Sequence, residues 1–114
     1  PTSDTRKPDG PRGGPPLGAG APRVFTVGGA CTVPSSAKAV SVNLTVTGPT
    51  ATGNLRLYAA GTPMPLASAI NYVTGQTRAN NTILPLSALG QIAVRCTQAA
   101  GTTHFLLDVN GYFE

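Results

Sequence analysis

The segment AVSVNLTVT, residues 39–47, alternates Val40, Val42, Leu44 and Val46 with Ser41, Asn43, Thr45 and Thr47. Successive side chains of an extended strand point to opposite faces, so this segment has one apolar and one polar face. A helix would scatter the same residues around its axis, which leaves a half-buried strand as the structure that keeps them together. From Arg23 onward the rest of the chain has the same texture. RVFTV (23–27), LRLYAA (55–60), SAINYV (68–73), RANNTILPL (78–86), QIAVRCT (91–97) and THFLLDVNGYF (103–113) are each about the length of a strand, separated by turn residues. No stretch reads as an amphipathic helix. The expected fold is all-β, an antiparallel β-sandwich of immunoglobulin-like or jelly-roll type, with the strand order left open. GPTATGN (48–54) predicts a hairpin joining 39–47 to LRLYAA. Pro85, lacking an N–H, predicts an edge strand or a bend.

Residues 1–22, PTSDTRKPDGPRGGPPLGAGAP, break this pattern with six prolines, five glycines and a single large apolar side chain, Leu17. Such a segment has no core of its own. The chain therefore divides into an extended Pro/Gly-rich arm, 1–22, and a β-sandwich domain, 23–114. Proline lowers the entropy lost on docking, and glycine lets backbones approach closely. The arm is expected to dock, either back across its own sandwich or on a neighbouring subunit, with Leu17 as a small anchor, Arg6 or Arg12 contacting carbonyls or a carboxylate, and Asp4 among the contact residues.

Charged residues make up 11% of the 114 residues, against roughly 25% in an average soluble domain. The polar surface must come from uncharged side chains, above all the fifteen threonines. This suits an extracellular or assembled protein, whose leader, if it is exported, has been removed. No apolar run is long enough for a membrane span. Cys31 and Cys96 fit neither a C-x-x-C motif nor a metal site with histidine partners. In an exported domain they are expected to form a disulfide, worth about 4 kcal/mol in the chain-entropy model. Cys96 shares strand parity with Ile92 and Val94 and so points into the core.

The inventory for catalysis is poor. The one histidine, His104, and the four acids, Asp4, Asp9, Asp108 and Glu114, lie in the arm or the last strand. Paired carboxylates cannot meet from there, and no serine carries a nucleophile-turn signature near His104. DVNGY (108–112) lacks the further acids of a calcium loop, and Asn110-Gly111 reads as a turn or strand terminator. The expectation is no enzyme, no metal and no cofactor. Three basic and two acidic residues give the arm a net charge of +1, which is no nucleic-acid tail.

Several segments together resemble a poorly characterised β-sandwich module of exported bacterial proteins, often found in tandem, that opens near R-x-x-D-T-R and closes near D-V-N-G-Y-F. They are DTR (4–6), PLGAG (16–20), AVSVNLTVTGPTATGNLRLYAAG (39–61), GQTRANNTILPL (75–86) and DVNGYF (108–113). The resemblance implies an extracellular, structural or surface role and carries no catalytic residues. Pro1, Thr2 and Ser3 stand where the module usually has an arginine and two apolar residues. A single copy that keeps the arm and both end motifs points to a homopolymer, a filament built head-to-tail through the arm. Two readings stand beside it: a module of a larger cell-surface or adhesive protein, and a domain that binds cell-surface glycans.

Overall fold

Val40, Val42, Leu44 and Val46 are all completely buried, so the alternation of residues 39–47 becomes the central strand of a sheet. The computed structural model describes residues 3–20, 22–30 and 33–114. Among these residues nine strands run in the order β1 (Ser3–Asp4), β2 (Leu17–Gly18), β3 (Arg23–Thr26), β4 (Ala39–Thr47), β5 (Gly53–Ala59), β6 (Ile70–Tyr72), β7 (Arg78–Pro85), β8 (Gln91–Gln98) and β9 (Thr102–Phe113). They form two antiparallel sheets, one in the order β1-β9-β4-β7 with β2 also on β9, the other β3-β8-β5-β6. No helix among the described residues is long and apolar enough to cross a membrane.

The two sheets meet as a sandwich. Leu44, Phe105 and Leu107 from one sheet and Phe25, Leu55 and Ile92 from the other share a single core cluster. Phe25 and Phe105 join the sheets directly, their ring centroids 5.7 Å apart and tilted by 50°, a favourable aromatic arrangement. At one end, the amides of Val27 and Gly28 both donate to the Gly90 carbonyl at 2.9 Å. Gly90 has φ 74°, and a Cβ there would lie 2.9 Å from the Gly28 Cα, so both conformation and space call for glycine.

Two expectations fail on register. Residues 39–47 and 55–59 do not form a hairpin, because β4 pairs with β7 and β9 while β5 pairs with β6 and β8. The 48–52 connection crosses from one sheet to the other. Alternation shows that each strand has a buried face, and facing strands of two sheets satisfy that as well as neighbours in one sheet do. Nor does Asn110-Gly111 end the last strand. β9 continues to Phe113, and the shift from Val42↔Val109 to Ser41↔Gly111 makes Asn110 the extra residue of a β-bulge. Tyr112 and Phe113 lie about half exposed. Pro85 does end β7, an edge strand.

Candidate functional site

The free edge of β9 is where the arm goes. Ser3 pairs with Leu107 and Asp4 with Leu106, the Thr5 amide donates to the Phe105 carbonyl at 3.0 Å, and Leu17 and Gly18 pair with Thr103 and Thr102. Between these contacts the chain closes a loop, with the Asp4 amide on the Arg12 carbonyl at 2.9 Å and the Gly14 amide on the Lys7 carbonyl at 2.9 Å. The described arm is therefore folded back on its own domain rather than extended. Leu17, 3% exposed, belongs to the domain's own core. Ser3, Asp4 and Thr5 are also buried. The Thr5 hydroxyl accepts the Phe105 amide at 2.8 Å and lies 3.2 Å from His104 Nδ1, which gives the lone histidine a place beside the seam.

Asp4 and Arg6 pair with each other. Arg6 donates through Nε and Nη2 to the two carboxylate oxygens, both at 3.0 Å, and through its backbone amide at 2.9 Å, a forked, charge-assisted arrangement. Arg12 contributes its carbonyl while its side chain stays exposed. The cation that holds the arm's carbonyls is Arg23. Its Nη1 donates to the Pro15 carbonyl at 2.7 Å, and its Nη2 reaches the carbonyls of Gly13, Gly10 and Gly14 at 2.6, 3.0 and 3.0 Å. Its guanidinium sits 4.8 Å from the centre of the Phe25 ring. Sequence reasoning placed Arg23 at the head of a strand and missed this role. The available signal was its parity with Phe25 and Val27, which turns it toward the buried side.

The Arg6 hydrogen bonds hold the Asp4 carboxyl below its ordinary value of 3.8, against an opposing push from burial. A depressed carboxyl stabilises the fold above its unfolded pKa, and that contribution is lost as pH falls through the folded pKa. Acidification below the usual aspartate range is therefore expected to loosen the arm. Amide exchange at Asp4, Thr5 and Arg6 should accelerate there, and Asp4→Asn should flatten the dependence. A pH profile unchanged by that substitution would remove Asp4 as the cause.

Cys31 lies outside the described residues. Cys96 is a free, buried thiol, and no disulfide is seen among the described residues. The Cys96 thiol instead lies 3.5 Å from the Tyr72 hydroxyl, which donates to Gln98 Oε1 at 2.6 Å. Burial pushes the thiol and the phenol up, so both stay protonated at neutral pH. Gly53 makes room for them, since a Cβ there would collide with the Thr97 carbonyl and lie 3.1 Å from Tyr72 Oη.

No group of three or more His, Cys, Asp or Glu side chains that could hold a metal occurs among the described residues. His104 faces Thr5 and the arm. No protein-family model matches the chain, and no curated protein matches it.

Proposed function

We propose that the protein is a structural, non-catalytic subunit of an extracellular self-assembling filament or surface appendage, joined head-to-tail through its N-terminal arm. The observation that carries this reading is the manner in which the arm is attached. Ser3–Thr5 and Leu17–Gly18 lie along the edge of β9 through backbone pairing and one apolar anchor, Leu17. They connect to β3 through the short Ala19–Pro22 segment, in which Gly20 has φ 123°. The groups that receive the arm, the β9 edge and Arg23, are presented equally by a second copy of the chain. Exchange of arms between copies preserves every arm contact and links the bodies, and a heterologous link that does not close grows into a filament. The sparse charge, 11% of residues, offers little repulsion to such growth. The threonine-rich surface and the resemblance to an exported bacterial module support an extracellular location.

Gly18 and Thr102 are partners across the β2–β9 seam, and a Cβ at Gly18 meets nothing within 4 Å. The double variant Gly18→Cys/Thr102→Cys is therefore expected to oxidise across that seam. If arms are exchanged in the assembly, a denaturing gel without reductant will show a ladder of covalent multimers, absent from either single variant. Monomer alone from electron-microscopically verified filaments would place the arm in its own subunit and sink the mechanism.

A further inference from the structure

The acids are confined to one of the two sheets and the arm that lies on it. The four acids, Asp4, Asp9, Asp108 and Glu114, lie in the arm, on β9 or just after it. The β3-β8-β5-β6 sheet carries no acid but holds Arg23, Arg56 and Arg95. Arg56 and Arg95 are directly opposite one another on β5 and β8, and both lie on the outward face, between the buried neighbours Leu55, Leu57, Val94 and Cys96. Like charges set opposite each other across a strand pair are destabilising, and an opposite charge would relieve them. Here the partners are neutral. Arg56 donates to the Leu66 carbonyl and the Thr97 hydroxyl, each at 3.3 Å, and Arg95 Nε is buried without a hydrogen-bond partner.

At the edge of this sheet, between β6 and the start of β7, lies a cleft of about 490 Å3 lined among others by Asn54, Asn71, Gln76 and Arg78, a volume suited to a small ligand. Its amides are turned to donate. Asn71 Oδ1 accepts from the Ser68 hydroxyl at 2.8 Å, Gln76 Oε1 accepts from the Val73 amide at 3.1 Å, and Asn54 Oδ1 is shut away from solvent. This leaves the NH2 ends of Asn71 and Gln76 as donors, beside the Arg78 guanidinium, which donates to the Asn71 carbonyl at 2.9 Å. Tyr58 stands on the same outward face, next to Arg56 along β5 and opposite Ala93. The face thus combines two unpaired-in-charge arginines, a donor-rich cleft and one aromatic ring, with no carboxylate to compete.

We infer that the outer face of the β3-β8-β5-β6 sheet binds an acidic saccharide, with Arg56 and Arg95 taking a carboxylate and the cleft at Asn71, Gln76 and Arg78 taking the hydroxyls and carboxylate of the next sugar. The arginine pair and Asn71 lie on three adjacent strands, so the two ends of the surface are about 10 Å apart, the span of roughly two sugar units. Spread amide donors suit hydroxyl acceptors, and a single aromatic ring serves one sugar face while giving successive nucleobases no platform.

The test titrates the full chain with trigalacturonate, its methyl ester and oligothymidylate, following the side-chain NH2 signals of Asn54, Asn71 and Gln76 by NMR. Trigalacturonate is expected to shift those signals, the neutral ester much less. Arg56→Gln and Arg95→Gln are each expected to weaken binding about tenfold, since charge-assisted hydrogen bonds are lost, while Lys38→Gln, an equal change of charge just before β4 of the other sheet, should alter it less than about twofold. Because the pair opposes like charges, neither Arg→Gln substitution should lower the melting temperature, which separates lost binding from lost fold. Equal binding of acid and ester, tighter binding of oligothymidylate, shifts confined to other residues, or equal losses from Lys38→Gln would each overturn the assignment. Filament formation has no bearing on these outcomes.

Discussion

Phe105→Ala is expected to destabilise the domain by about 3–5 kcal/mol, a large part of the roughly 5–15 kcal/mol that holds a typical domain together. The Phe105 ring is completely buried and reaches Phe25 across the sandwich, so its loss leaves a cavity between the sheets at the point where they are joined. The backbone of the same residue holds the arm through the Thr5 amide and hydroxyl. Loosening of β9 is therefore transmitted to the arm, and Thr5 exchange should accelerate together with the fall in denaturation midpoint. Ile83→Ala is the contrasting case, because Ile83 is 61% exposed and a surface truncation should stay within about 0.5 kcal/mol. Equal effects from the two substitutions would contradict the packing described here.

Leu17→Asp is expected to free the arm without unfolding the sandwich. Leu17 is 3% exposed, and removing such a side chain from a core forfeits roughly 1.5–3 kcal/mol of burial. A carboxylate in its place cannot remain desolvated and unpaired, so β1 and β2 should leave β9 together. Amides of Ser3, Asp4 and Thr5 would lose protection while those of β4, between two partners, keep theirs. Because an exchanged arm would use the same Leu17 pocket, filaments should disappear as well. Leu17→Met, which conserves volume, should retain both. Filaments persisting in Leu17→Asp would mean that subunits join by another surface.

The strands were legible because burial on one face writes itself into every second residue. The expected span 39–47 is β4 to the residue, and the others agree within about two. What period two cannot record is the partner. β4 and β5 carry equivalent patterns, and their separation into different sheets depends on which apolar faces meet across the core, a property of the whole chain. Asn110-Gly111 shows a related limit, since the dipeptide permits a turn or a bulge and β4 alongside it decides. In the arm, Leu17 was readable as an anchor by its isolation among prolines and glycines. The four carbonyls gathered by Arg23 were not, because backbone acceptors leave no trace in residue identity.

Ser3 lies opposite Leu107, with the next partners running toward Phe105 as the arm proceeds. In an exchanged arm the load enters at Gly18, opposite Thr102, where the arm joins its own body. Pulling two such bodies apart loads the seam on β9 from that one end, so its backbone hydrogen bonds would break in succession instead of sharing the load. A fibre of such units would be soft at its joints under tension and strong within each sandwich, giving way by the peeling of arms before any core opens.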